Sequence, residues 1–158
     1  MKKYLGLALV LCLSACGFHL KGSVPLGDAL HYQVWAVDGG TMQTALENAL
    51  RRQSNVRLDA TNPEVSLKVL DVRQQKDVSA INIGGNTIEY MLNLRVDAQA
   101  WRAGEPLGAP ISVQVQRYMA YADSEILGKQ EEEAQIWREM RADAAGQMVR
   151  RLAYLPKP

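Results

Sequence analysis

The chain has 158 residues, 47% of them hydrophobic, with 18 Lys+Arg against 17 Asp+Glu. That length fits one domain with a core of its own. The near-neutral balance excludes broad electrostatic capture of nucleic acid, which needs a basic face.

The first element is a targeting segment. Lys2 and Lys3 are followed by ten largely apolar residues, Tyr4 to Leu13, and then by Leu13-Ser14-Ala15-Cys16. A charged start, a short apolar stretch and small residues before a cut site are the parts of a secretory signal. Ten apolar residues are too few to span a bilayer, which takes roughly 20. The tetrapeptide resembles a lipobox, so residues 1–15 are predicted to be removed and Cys16 to carry the lipid. Lipoproteins of this kind bear a diacylglycerol and an amide-linked acyl chain on that cysteine. A single chain anchors only marginally. Gly17 follows Cys16, in place of the aspartate of inner-membrane retention, which by resemblance to sorting rules implies the periplasmic side of the outer membrane. Cys12 leaves with the signal and Cys16 is consumed, so no disulfide is expected. Residues 1–15 hold two lysines and no acid, which leaves 16 basic and 17 acidic side chains beyond them.

Residues 16–30, with Gly22, Pro25 and Gly27, form a leader between lipid and fold. A single domain is expected over residues 31–155, with 156–158 as a short tail. His31 to Val37 alternates as a first strand and stops at Asp38-Gly39-Gly40. Thr41 is placed as the N-cap of a helix. Met42, Ala45, Leu46, Ala49 and Leu50 then trace one apolar stripe, and Asn55 is expected to end that helix in a left-handed conformation. Val65, Leu67 and Val69 mark a half-buried strand. Leu70 and Val72 break its phase, as a bulge would. The pattern runs on loosely through Val78 to Ile83, and Gly84-Gly85-Asn86 turns the chain. Ile88, Tyr90, Leu92, Leu94, Val96, Ala98 and Ala100 alternate without fault. After a turn over Gly104 to Pro110, Ile111, Val113 and Val115 continue as a strand. A last helix, starting at Ser124 or Gln130, carries the stripe Ile136, Met140, Ala144, Met148 and Leu152 to an end near Leu155. The fold class is therefore α+β: a two-layer sandwich in which two helices cover one face of a mostly antiparallel four-stranded sheet.

No catalytic constellation accompanies these elements. There is no Gly-x-Ser-x-Gly elbow and no His-Glu-x-x-His pair. His19 and His31 both precede the fold proper. Glu131, Glu132 and Glu133 fan out over different helix faces, which suits a solvated helix start. The Gly84-Gly85 pair lies between strands and not before a helix, so it is a turn and no phosphate loop. The expected function is binding, with neither enzyme activity nor any cofactor beyond the covalent lipid. The hairpin end, Ile81 to Ile88, is unusually apolar for a turn. Exposed apolar surface marks contact with a partner or lipid, which makes Ile81, Ile83 and Ile88 candidate partner contacts.

The segment Cys16-Gly17-Phe18-His19-Leu20-Lys21-Gly22 resembles the mature start of the LptE family of lipopolysaccharide-assembly lipoproteins. The resemblance continues in order through Thr87-Ile88-Glu89-Tyr90, Arg117, Arg138-Glu139-Met140, Ala144-Ala145 and Arg150-Arg151-Leu152. It implies an outer-membrane lipoprotein that plugs and helps assemble the LptD β-barrel and takes part in placing lipopolysaccharide in the outer leaflet. A basic residue in the loop before the last helix is implicated in touching lipopolysaccharide, and its match is Lys129 in Gly128-Lys129-Gln130. Some members carry a second cation at the hairpin tip. Here the tip offers Ile83-Gly84-Gly85, leaving Lys76 and Arg73, lower on the arm, as substitutes. The other class considered is an outer-membrane lipoprotein that activates a peptidoglycan synthase. Such proteins usually have a long Pro- and Gln-rich linker after the cysteine, and about fourteen residues stand there in this chain.

Overall fold

The computed structural model describes residues 30–121 and 126–157; the signal segment, Cys16, the leader as far as residue 29 and Ser124 lie outside them. Strand β1 (Val34–Asp38) sends Trp35 into the core and is shorter than the expected His31 to Val37. Leu30 and Tyr32, just before it, are also buried. The Glu64 carboxylate accepts the N–H groups of Gln33 (2.7 Å) and Val34 (3.2 Å) at this strand's start, and these two bonds hold its pKa below the usual range.

Gly39 and Gly40 then turn the chain. A Cβ on Gly39 would meet the backbone of Gln43 at 2.7 Å, and Gly40 has φ +51°, where only glycine is at ease. A 3-10 turn (Gly40–Met42) leads into helix α1 (Gln43–Arg51). Thr41 does not cap it. The turn already bonds the Met42 N–H to the Gly39 carbonyl. No side chain caps the helix; the Gln43 side chain instead holds the preceding turn, accepting from the Gly39 N–H (2.7 Å) and donating to the Val37 carbonyl (3.0 Å). The expected stripe is buried at Met42, Leu46, Ala49 and Leu50. The helix stops at Arg51, and Asn55 is not left-handed; its amide donates instead to the Leu30 carbonyl, 3.0 Å away.

Two-residue β2 (Arg57–Leu58) lies parallel to β1, and β1 lies parallel to β3 (Val65–Ile81). The helix returns the chain to the end where β1 began, so β3 runs in the same direction. From there the sheet is an antiparallel meander. Strand β4 (Thr87–Arg102) pairs with β3 on one side and with both β5 (Glu105–Pro106) and β6 (Ile111–Ala120) on the other. The expected α+β sandwich stands, but among the described residues the sheet has six strands, two of them too short to show a period, and β1 and β2 are parallel. The phase break at Leu70 is a register shift between Val69 and Asp71, as a bulge requires.

Helix α2 (Ile126–Leu152) packs on β6 and α1. It is already running at Ile126, which rules out a start at Gln130. Met140, Ala144, Met148 and Leu152 are buried, and Ala145 and Val149 widen the stripe because two elements are covered at once. One cluster joins these residues to Leu46 and Leu50 of α1 and to Leu92, Leu94, Val96, Ala98 and Ala100 of β4. The end of the chain closes the base. The Tyr32 hydroxyl donates to the Pro156 carbonyl (2.9 Å), and Gly108 lies against Leu155 and Pro156, where a Cβ would come within 3.1 and 3.3 Å. At the other end β3 and β4 continue past the start of α2 as a hairpin. The Asn82 N–H donates to the Asn86 carbonyl, and the Gly85 N–H to the Asn82 carbonyl. Sixteen residues of β4 span about 50 Å between the base and this turn.

Candidate functional site

Strand alternation decides which side chains meet at the foot of the hairpin. Lys76 stands opposite Leu92 in the ladder, and Val78 opposite Tyr90. Leu92 and Tyr90 belong to the phase that faces the helices. Lys76 is thus a cation on the apolar side of its strand, at the level where α2 begins. Its Nζ lies 4.3 Å from the centre of the Tyr90 ring, a cation–π contact worth about 0.5–1 kcal/mol where exposed. Tyr90 meets Tyr121 edge-on at 5.2 Å.

From the facing helix Glu133 reaches Lys76 at 2.6 Å and accepts from the Trp137 indole N–H at 3.2 Å. Partial burial pushes the Glu133 carboxyl up, but these two hydrogen bonds outweigh it, and its pKa lies below the ordinary value. Lys129, one turn earlier on α2, pairs with Glu132 at 2.7 Å. Lys76, Met119, Tyr121, Lys129, Gln130 and Glu133 together line a cleft of about 230 Å³.

Of the three expected anion contacts, the structure brings two together. Lys76 and Lys129 converge on this cleft from β3 and α2. Lys129 is not a loop lysine: it lies within α2, with a side chain only 16% exposed, because the helix starts before Gln130. Arg73 is on the other side of the sheet. It lies three residues from Lys76 with no bulge between them, so it faces away. There it pairs with Asp71 at 2.6 Å and stands opposite Arg95, itself 3.1 Å from Asp97. The Arg95 bond, helped by Ser112, holds the Asp97 carboxyl below the usual range. Glu133, expected to be solvated, is instead the link between arm and helix.

The expected partner contacts sit at the hairpin end. Ile81 is 61% exposed and Ile88 44%, and Ile83 is fully exposed. None of them tucks beneath the sheet. Sequence reading passed over Tyr90, Met119 and Tyr121 as site residues. Projecting β4 and β6 to the same level would have shown Tyr90 beside Met119, its ladder partner. The Glu133–Trp137 contact is an i,i+4 pair and was available from spacing alone. No helix among the described residues is long and apolar enough to cross a membrane.

Residues 28–152 match the family model LptE, described as lipopolysaccharide-assembly. A protein of Pectobacterium atrosepticum named LPS-assembly lipoprotein LptE is 36% identical over 154 residues, covering 94% of this chain and 82% of its own. One of the same name from Photorhabdus laumondii is 33% identical over 153 residues, with the same two coverages. Among solved structures, a minor lipoprotein from Acinetobacter baumannii superimposes with a TM-score of 0.68 at 23% identity, over 82% of this chain and 98% of that one. A lipoprotein B from Nitrosomonas europaea gives 0.68 at 22% identity, over 87% and 90%. At those identities the two structures speak for the fold alone.

Proposed function

This chain belongs to the LptE family, and from that premise we propose that it is an outer-membrane lipoprotein that assists assembly of the LptD barrel and contacts lipopolysaccharide during its insertion. The family match over residues 28–152 carries this reading. The geometry supports a binding role. Two lysines from distant parts of the chain meet at one cleft, at the foot of an apolar hairpin end. Phosphate groups of lipopolysaccharide would take Lys76 and Lys129 over from Glu133 and Glu132, exchanging one charge-assisted hydrogen bond for another. Ile81 and Ile83, with Ile88 at their margin, would touch the barrel partner. Cys16 would hold the chain to the membrane through its diacylglycerol and amide-linked acyl chain.

The test uses the chain from residue 16 with Cys16→Ser. Among the described residues, every member of the buried cluster lies between Leu30 and Leu155, and that chain keeps all of them. Lys129→Glu is expected to weaken lipopolysaccharide binding at two salt concentrations, since a lost charge-assisted contact is worth roughly 1.5–3 kcal/mol. Capture of the barrel from mild detergent should be unchanged. Equal binding by the variant and the parent at both salts would remove Lys129 from the site.

A further inference from the structure

Strands β3 and β6 each keep one edge without a neighbouring strand over most of their length, and the backbone decides which groups each presents. The Ile88 carbonyl accepts from the Tyr121 N–H, and the Ala100 carbonyl from the Leu107 N–H. Even-numbered residues of β4 therefore turn their backbone groups toward β6, and odd-numbered ones toward β3. On β3 the partners of those odd residues are Asp71, Arg73, Gln75 and Asp77. Val72, Gln74, Lys76 and Val78, set between them, turn their N–H and C=O groups outward. Strand β1 pairs no further along β3 than Lys68, and among the described residues no other hydrogen bond reaches these groups. The matching outward groups of β6 are those of Ser112, Gln114, Gln116 and Tyr118. There Arg151 donates to the Ser112 carbonyl and Arg117 to the Gln116 carbonyl, with Asp143 holding Arg117 at 3.0 Å. Helix α2, which carries Arg151 and Asp143, thus guards the β6 edge, while the β3 edge is open. An open edge is a template for another extended chain.

Between the register shifts at Val69/Asp71 and Val78/Ala80 this edge is regular, and its charges decide what can lie beside it. A second copy pairing antiparallel about a two-fold axis must set even residues opposite even ones, because only those have outward groups. An axis at Val72 or Val78 runs half the pairing across a register shift. With the axis at Arg73 two arginines meet; at Gln74, Asp71 meets Asp77 of the second copy. At Lys76 two lysines meet, and at Asp77 two aspartates. Like charges directly opposite are unfavourable. With the axis at Gln75, near the middle of the regular stretch, Arg73 faces Asp77 of the second copy, and Asp77 faces Arg73 of that copy. Both are non-hydrogen-bonded pairs, where side chains lie closest. Val72 then faces Val78, Gln74 faces Lys76, and no like charges meet. We propose that this chain pairs with a second copy of itself, β3 against β3 and antiparallel, with the two-fold axis at Gln75. The pairing goes beyond the proposed function and does not depend on it.

The test uses the chain from residue 16 with Cys16→Ser, in which no cysteine remains. Gln75→Cys then supplies one thiol on the axis, where the Cα atoms of a non-hydrogen-bonded pair lie about 4.5 Å apart, within reach of a disulfide. In a glutathione redox buffer it is expected to run as a linked dimer on a non-reducing gel. Arg73→Cys should stay monomeric there, since four strand positions, about 13 Å, separate its two thiols. Sedimentation equilibrium of the thiol-free chain, at concentrations up to about 1 mM, should show monomer and dimer together. Arg73→Asp and Asp77→Arg should each weaken the dimer about tenfold by turning two attractive pairs repulsive. The double variant Arg73→Asp, Asp77→Arg should restore it. A thiol-free chain that is monomeric throughout overturns the proposal, as does a dimer indifferent to the single variants, or equal cross-linking at the two thiol positions. A chain that stays monomeric but binds a synthetic peptide copying one barrel strand would assign the edge to the barrel and likewise overturn it.

Discussion

Lys76 on β3 and Glu133 on α2, 57 positions apart in sequence, are joined at 2.6 Å, and this pair ties the hairpin arm to the helix layer. It also occupies a lysine that an anionic ligand would need. Glu133→Gln removes the competing charge and should raise affinity for lipopolysaccharide severalfold, read by titration against the parent chain. Weaker binding by the variant would mean that Glu133 itself holds the ligand.

The same pair sets a dependence of stability on pH. The folded pKa of Glu133 is depressed from 4.5 because the bonds from Lys76 and Trp137 exceed the opposing effect of burial. A depressed carboxylate stabilises the fold above its unfolded pKa, and that contribution disappears as pH falls through the folded value. The parent should therefore melt above Glu133→Gln at pH 7, by no more than about 1 kcal/mol for a partly exposed pair. The gap should close toward pH 3. A gap that stays constant across melts at both pH values would refute the ion-pair explanation.

Arg73 and Lys76 differ in face. Arg73→Ala should leave lipopolysaccharide affinity unchanged, because its guanidinium is held by Asp71 on the helix-free side. Lys76→Ala should weaken it by about 1.5–3 kcal/mol, as loss of a charge-assisted contact does. Equal losses in the two variants would put the ligand on both faces and contradict the cleft.

Leu94 is fully buried in β4, directly opposite Val115. Leu94→Asp places an unpaired carboxylate there at several kcal/mol, comparable with the roughly 5–15 kcal/mol total of a domain. Circular dichroism should show no cooperative melt at 25 °C. Ile83→Asp, at the exposed turn, should stay within about 0.5 kcal/mol of the parent while reducing co-purification with the barrel.

Gly39 and Gly40 should respond for different reasons. Gly39→Ala drives a Cβ into the Gln43 backbone at 2.7 Å, an overpacking that costs about 1–3 kcal/mol. Gly40→Ala meets no neighbour, but its φ of +51° costs about 1–2 kcal/mol in a residue with a Cβ. Chemical denaturation should rank both below the parent. Parent-like stability of Gly39→Ala would mean that the β1–α1 turn gives way freely.

The parts of this architecture legible in the sequence are those where one wet and one dry face impose a period. The run Ile88 to Ala100 announced β4 because its alternate residues face the helix layer, and Met140 to Leu152 announced α2 for the same reason at a different period. β2 and β5 have two residues each and carry no period at all. The parallel pairing of β1 depends on where α1 delivers the chain, which no local pattern records. Lys129 was misplaced because Gly128 and the polar run from Lys129 to Glu133 separate Ile126 and Leu127 from the apolar stripe that begins at Ile136, which left the helix start open between Ser124 and Gln130. Arg73 and Lys76 were grouped by proximity along the chain, although a strand's period of two separates residues three apart.

The parallel pairing of β1 with β3 has a mechanical consequence. The chain enters at the base of β1, while β3 leaves toward the hairpin end. A pull between the N-terminal side and that end runs along the strands, dragging β1 and β3 in opposite directions along their shared edge. The bonds at Trp35, Ala36, Val37 and Asp38 then carry load together instead of opening one at a time. Trp35, locked in the core, resists the sliding. A tether at one end and a captured hairpin at the other would thus load this fold in shear.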